Sequence, residues 1–316
     1  MKIYCPNNSK QSIGGGWTFL NNFIKGGKSK FEVVNSWKEC DIVLITGVTM
    51  TERQEMQDAK DAGKKIVLRV DNMPKDSRNR GTAFSRMRDF GIMADYIIFQ
   101  SEWAKDYVGW YLDEKCNAPA MDWGIISMGE FKDIEDPIKG KGAVADLNTT
   151  ENNSVIYNGI DTDFFYYKDK PHERRGNVYL YVQYNRDENK RFPEAAMYFH
   201  NQVRRNKDIE LWCVGNFTPE LVKYNFDFFA NEDVSYIEPI SDRGKLGEVM
   251  RKAKYLLFPA YADASPNTVA EAMACGAKVL CTNPCGGTDE VIAKHLAKPY
   301  TIQEMANDYY EIFKKL

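Results

Sequence analysis

The chain has 316 residues, with 42 Lys and Arg against 45 Asp and Glu and a formal net charge of −3. That length fits two domains of ordinary size, and the near-neutral balance implies no gross electrostatic partner. The seven cysteines are odd in number and scattered, with no CxxC pair. They favour reduced thiols in a cytoplasmic protein over a disulfide framework, and Cys281 and Cys285 have only His295 nearby, too small a set for a zinc site.

The opening MKIYCPNN reads as a strand rather than a signal peptide, and no apolar run approaches transmembrane length. It leads into Gly14-Gly15-Gly16 and a helix predicted over about 17–25. Three glycines at a strand-to-helix junction allow a ligand to approach the backbone and leave N–H groups unblocked. They form neither a Walker loop, which needs Gly-Lys-Ser/Thr, nor the spaced dinucleotide fingerprint, and a flexible turn is the other reading. DIVLIT (41–46), KKIVLRVD (64–71) and YIIFQS (96–101) read as strands, TERQEMQDAKDAG (51–63) and EWAKDYVGWYL (102–112) as helices. Such alternation predicts a parallel α/β sheet covered on both faces, with ligands at the carboxyl ends of the strands. Those ends carry Gly14–Gly16, Thr46-Gly47, Asp71-Asn72 and Ser101.

Positions 113–153 are polar and Gly-rich, with Pro119 and Pro137, and read as a long loop. VIYNGIDTDFF (155–165) then reads as a strand closed by an Asn-Gly turn. The second half repeats the alternation. VYLYVQYN (178–185), IELWCVG (209–215), VSYIEPIS (234–241) and YLLFPA (255–260) are strands; PEAAMYFHNQVRR (193–205) and KLGEVMRKA (245–253) are helices. TIQEMANDYYEIFKKL (301–316) is an amphipathic helix.

The most informative stretch is YADASPNTVAEAMACGAKVL, Tyr261 to Leu280. Ser265 suits a helix N-cap, Pro266 the first helical position, and the helix from Asn267 is stopped by Gly276. Its first N–H groups and positive dipole end suit a diphosphate. Two acids bracket that end, Asp263 in the loop and Glu271 eight positions on. An acid among Ala, Val, Met and Cys needs a partner if buried, and vicinal sugar hydroxyls would serve; a surface acid beside an ordinary cap is the other reading. After VYLYVQYN, the cations Arg186, Lys190 and Arg191 crowd a strand-to-helix junction. Cations fixed where a departing phosphate gains charge stabilise the transition state. A charged turn in solvent is the alternative.

Asp263 and Glu271 with EAMACG resemble the donor-site signature of glycosyltransferase family 4, whose usual form is Glu-x7-Glu. The Asp here is one methylene shorter. VIYNGID resembles the domain junction of the same family, and the Gly-rich first loop is similar too. The resemblance implies an α/β chain of the GT-B fold, two Rossmann-like doubly wound parallel-sheet domains facing a cleft. It implies an acceptor-side domain over 1–157, a nucleotide-sugar-binding domain over 158–300, and a C-terminal helix over 301–316 packing back on the first. The implied reaction is a retaining transfer from a nucleotide-diphosphate sugar, of UDP type, with no metal or other cofactor. Arg186 and Lys190 would hold the diphosphate, Arg191 being an alternative second cation. The backbone of Ser265, Pro266, Asn267 and Thr268 would meet the phosphates, Glu271 the ribose hydroxyls, Asp263 the transferred sugar, and the backbone from Glu238 to Ile240 the base. Gly15 and Gly16 would face donor phosphate or acceptor, with Trp17 on the acceptor side. Many members carry a His after the strand corresponding to KIVLRV. Here Asp71 takes that place, while His172, His200 and His295 fall outside the first domain. Asp71 could hold a donor hydroxyl, orient the acceptor, or act as a general base.

From Lys64 to Arg88 the chain is net basic, and Arg78, Arg80 and Arg86 are expected to contact the acceptor. Such a stretch suits phosphate backbones or anionic lipid headgroups; a solvated loop is the bland reading. VLRVDNMPKDSRNR in so short a chain resembles small glycosyltransferases of bacterial viruses, some of which glycosylate hydroxymethylated bases in DNA. That resemblance implies duplex DNA as partner and a hydroxymethylated pyrimidine, brought out of the stack, as acceptor. A cell-surface polysaccharide or glycolipid acceptor is the alternative, and a non-catalytic nucleotide-sugar or nucleic-acid binding module a further one. A nucleotide-binding oxidoreductase is excluded, because no GxGxxG follows the first strand.

Overall fold

The computed structural model describes residues 1–6, 14–49, 51–71, 81–112, 152–167, 176–183, 188–217, 233–283 and 285–316. They divide into two compact units. One takes the described residues up to 112, then 152–159 and Tyr300–Leu316; the other takes those of Ile160–Pro299.

The first unit runs β1 (Lys2–Tyr4), α1 (Gly15–Gly27), β2 (Glu32–Val34), β3 (Ile42–Ile45), α2 (Arg53–Asp61), β4 (Lys65–Arg69), α3 (Gly81–Met93), β5 (Tyr96–Phe99), α4 (Glu102–Leu112) and β6 (Asn153–Val155). Its strands pair in parallel in the order β2-β1-β3-β4-β5-β6. A sheet covered on both faces needs apolar residues at every position, and all four residues of β3 are buried. Ile42 and Leu44 pack into one core cluster with Phe19, Phe23 and Tyr309. Val43 and Ile45 pack into the opposite cluster with Met56 and Phe90.

The second unit runs β7 (Val178–Gln183), α5 (Phe192–Val203), β8 (Glu210–Gly215), β9 (Val234–Ile237), α6 (Arg243–Lys252), β10 (Tyr255–Phe258), α7 (Asn267–Ala274), β11 (Lys278–Cys281) and α8 (Thr288–Leu296). Its parallel order is β11-β10-β7-β8-β9. The chain then returns to the first unit as α9 (Ile302–Phe313). A reciprocal capping box fixes the start of α9. Thr301 Oγ1 accepts from the Glu304 amide at 3.1 Å, and the Glu304 carboxylate accepts from the Thr301 amide at 2.8 Å. From there α9 seats Tyr309 and Phe313 against Phe23, with ring centroids 5.2 and 6.4 Å away.

The structure corrects two local expectations. The basic stretch up to Arg88 is not one loop, because α3 begins at Gly81. Asn158-Gly159 does not close a turn. Asn158 is buried, and a Cβ on Gly159 would lie 2.6 Å from the Thr301 carbonyl oxygen, so glycine is there for close approach of the chain entering α9. The strands β2 and the helix α8 have too little periodicity to be read beforehand. Of the loop predicted at 113–153, residues 113–151 lie outside the described residues, and Asn153 already belongs to β6.

Six of the seven cysteines are described, and all six are buried thiols outside any disulfide. Among the described residues no helix is long and apolar enough to cross a membrane.

Candidate active site

In the second unit β7 is flanked by β8 on one side and β10 on the other, so the strand order reverses at β7. Ligands of open parallel sheets sit outside the carboxyl ends of the strands at such a reversal. The segments leaving β7 and β10 meet there. Lys190 Nζ and Asp263 Oδ2 are 2.7 Å apart, with the two side chains 22% and 20% exposed. Lys190 also lies 5.0 Å from the centroid of the Phe258 ring.

The backbone beneath this pair is clamped by Asn189. Its Nδ2 donates to the Ala262 carbonyl at 3.0 Å, and its Oδ1 accepts from the Ala262 amide at 2.9 Å. Asn189 itself is fully buried. On the far side, the Gly287 amide donates to the Asp263 carbonyl at 2.8 Å. Gly286 sits at φ 64, and a Cβ there would lie 2.6 Å from the Asp263 nitrogen. Arg191 follows Lys190 in the left-handed region at φ 48 and ψ 52. Its Nε donates to Glu194 Oε1 at 2.9 Å, inside the first turn of α5.

Four residues beyond Asp263, α7 begins. The structure moves its cap by one position. Pro266, with φ −71 and ψ 110, is the N-cap and makes no side-chain cap bond, so Ser265 is not the cap. Ser265 and Pro266 are buried, while Asn267 and Thr268 are half-buried at the helix start. Glu271 is 4% exposed on this helix. Its partner is the Arg243 guanidinium from the start of α6, through Nη2 and Oε1. Arg243 in turn lies 4.6 Å from the centroid of the Phe165 ring. Burial pushes the Glu271 carboxyl above the ordinary glutamate range, and Arg243 opposes that rise. Ile240 is half-buried in the segment between β9 and α6.

In the first unit, Gly14 caps α1 without a side chain, and Gly15 and Gly16 are its first two residues. Asp71 lies just past β4. Its Oδ2 is 3.6 Å from where a Cβ on Gly16 would stand. Trp17 packs, partly buried, against the core cluster that holds Phe19 and Phe23. Arg86, on α3, donates through Nη2 to the Thr51 carbonyl at 2.8 Å, so it ties α3 to the start of α2. Arg78, Arg80 and Arg186 lie outside the described residues.

The sequence reading missed Arg243, Asn189 and Arg69, the last of which ends β4 inside the core. Nothing local marks the first two, since their partners are 28 and 73 positions away. Arg69 carried a signal: a lone cation in the apolar run IVLRV.

Residues 178–315, from β7 into the end of α9, match the family model described as Glycosyl transferases group 1. A search of curated proteins found no match. The chain is similar in structure to sucrose-phosphate synthase from Thermosynechococcus elongatus, with a TM-score of 0.62 at 12% identity over 100% of this chain and 94% of that one. It is similar to Anabaena HepE in complex with UDP, with a TM-score of 0.60 at 11% identity over 98% and 94%. Staphylococcus aureus MnaA with UDP gives 0.52 at 12% identity over 96% and 91%. At such identities the likeness establishes the fold. The fold is GT-B.

Proposed function

We propose that the protein is a retaining glycosyltransferase that moves a sugar from a UDP-sugar to an acceptor hydroxyl. The observation that carries this reading is the Lys190–Asp263 pair, set at the strand reversal and four residues before α7. A diphosphate at the first turn of α7 meets the helix N–H groups and competes with Asp263 for Lys190. Asp263, released from Lys190, accepts from hydroxyls of the transferred sugar. As the sugar departs, charge builds on the phosphate oxygens, and Lys190 and the helix dipole stabilise it more than the ground state. The departing phosphate helps the acceptor lose its proton, so the sugar keeps its anomeric configuration. Glu271, with one oxygen on Arg243, has its other oxygen for the ribose hydroxyls. Arg186 is proposed as a second phosphate ligand on sequence alone. The reading asks for no metal ion or organic cofactor, because side-chain cations supply the charge. UDP as the nucleotide draws support from HepE and MnaA, both of which carry UDP in their structures.

For the acceptor, we propose a hydroxymethylated pyrimidine in DNA, with Asp71 and the Arg78–Arg86 segment facing it. Its support is the sequence of that segment; the Arg86 guanidinium is already engaged at Thr51. The test is UDP release from a panel of UDP-sugars with hydroxymethylated duplex DNA, a polysaccharide and a lipid-linked acceptor side by side. Transfer to DNA with retained configuration is the expected result. Transfer only to a glycan or lipid overturns the acceptor, and no turnover with any acceptor overturns the enzyme reading.

A further inference from the structure

Arg69 is 1% exposed and heads the largest fully buried side chains of the described residues. Its Nη2 donates to Asn158 Oδ1 at 2.9 Å, and its guanidinium carbon lies 3.6 Å from the centroid of the Phe19 ring. Nε and Nη1 have no hydrogen-bond partner among the described residues. Burial pulls the guanidinium pKa down, opposed first by the neighbouring Tyr309 and then by Asp71. A buried guanidinium so poorly satisfied costs stability, and an apolar side chain of similar volume would serve this core better. The charge therefore has another use.

Two independent registers bring Arg69 beside Asp71. The ladder of β4 continues past its end, since the Val70 amide donates to the Ile98 carbonyl at 2.9 Å. Residues 69 and 71 of an extended segment project to the same side. Phe19 and Gly16, three apart on α1, share one helix face. Arg69 lies on Phe19, and Asp71 lies at Gly16, one turn nearer the helix start. Behind Arg69 the network is fixed: Asn158 donates to Gln100 at 3.1 Å, and Gln100 to the Val70 carbonyl at 2.8 Å.

We infer that Arg69 is the positioning residue for Asp71, holding its carboxylate charged and in place beside the Gly15–Gly16 start of α1. Of the groups set beside Arg69 among the described residues, Asn158, Phe19, Tyr309 and Asp71, only Asp71 is an anion, so Asp71 is the one that the buried cation serves. The inference rests on the proposed function for Asp71's place in the site, and its test separates the two.

The test is a double-mutant cycle on the full chain, with Arg69→Met, Asp71→Asn and both together, read by thermal unfolding. Coupled charges make the Tm loss of the double variant fall short of the sum by about 2–4 °C or more. Additive losses overturn the inference. Should Arg69→Met not fold, Asp71→Asn alone decides: it leaves the buried cation uncompensated and lowers Tm, and an unchanged Tm overturns the inference. Turnover is then measured with UDP-glucose and DNA containing hydroxymethylcytosine. Arg69→Met is expected to lower kcat by about 10–100-fold with the KM for UDP-glucose almost unmoved, as for loss of an interaction used only in the transition state. Arg69→Lys, which keeps the charge, restores most of it. Unchanged kcat in Arg69→Met, or a loss that Lys does not repair, counts against the positioning role. A wild-type enzyme without turnover sinks the proposed function, and the unfolding cycle still decides the pairing.

Discussion

Asn189 and Ala262 exchange two hydrogen bonds, side chain to backbone, across 73 positions of sequence. The amide of Asn189 does what a neighbouring strand would do, satisfying both the N–H and the C=O of one residue. Each partner is the chain neighbour of one member of the Lys190–Asp263 pair. The clamp thus sets the spacing of that pair.

Asn189→Ala should therefore act on stability and on the donor site together. It strands a buried N–H and a buried C=O, for a loss of about 2 kcal/mol or more. Urea unfolding reads the first effect and titration with UDP the second. Lost stability with unaltered UDP affinity would show that the clamp is structural only.

Lys190→Ala should slow transfer on the order of 10²-fold, as for loss of a preorganised donor to an oxyanion. Asp263→Asn should do something different. It removes the carboxylate that competes for Lys190, so UDP alone should bind several-fold more tightly while turnover falls. Weaker UDP binding by Asp263→Asn would mean that the pair is not in competition with the phosphates.

Glu271→Gln separates stability from function through pH. The folded carboxyl titrates above its ordinary value of 4.5, so between that value and the raised one the folded state holds more protons than the unfolded state. Stability then falls as pH rises through that interval, and is fully present below it. Gln has no such slope. At neutral pH the variant should be at least as stable as wild type, because Arg243, 31% exposed, can turn to water. Its donor turnover should nonetheless drop by about 10–100-fold, as expected for a charged hydrogen bond to the ribose. Chemical denaturation of both proteins across pH 4–8, set beside UDP-sugar kinetics, checks the two halves.

Gly286→Ala places a Cβ 2.6 Å from the Asp263 nitrogen and 2.7 Å from its carbonyl oxygen, at φ 64. The neighbour is backbone and cannot swing away. We expect a loss of about 1–3 kcal/mol together with reduced turnover. Normal kinetics in a folded variant would show that the Asp263 loop tolerates a shift.

What could be read in the sequence was local. Pro266, the apolar run from Val269 and the stop at Gly276 define α7 within one turn of its place, because caps and breakers act on their own neighbourhood. The alternation of strand and helix gave two parallel sheets for the same reason. Asn189 was out of reach because its role exists only once β10 lies beside β7, and Arg243 because its role exists only once α6 lies beside α7. Arg69 was counted with the solvent-facing cations of its stretch. In a sheet covered on both faces no position of β4 after Lys65 offers a long side chain an easy way out, and the guanidinium stays inside. Ser265 lost the cap to Pro266 because a proline can hold the extended backbone of an N-cap as readily as the first helical turn.

The return of α9 to the first unit has a consequence for how the protein is made. Phe19, Phe23 and Phe31 lie near the start of the chain, yet the rings that cover them, Tyr309 and Phe313, are near its end. A nascent chain on the ribosome carries those phenylalanines with one wall of their core missing while the whole of Ile160–Pro299 is translated. The described residues of the second unit, within Ile160–Pro299, form one run of chain that leaves the ribosome before α9 does. The first must wait for the last helix to leave the exit tunnel, and through that interval its open aromatic face is a site for chaperones or for aggregation.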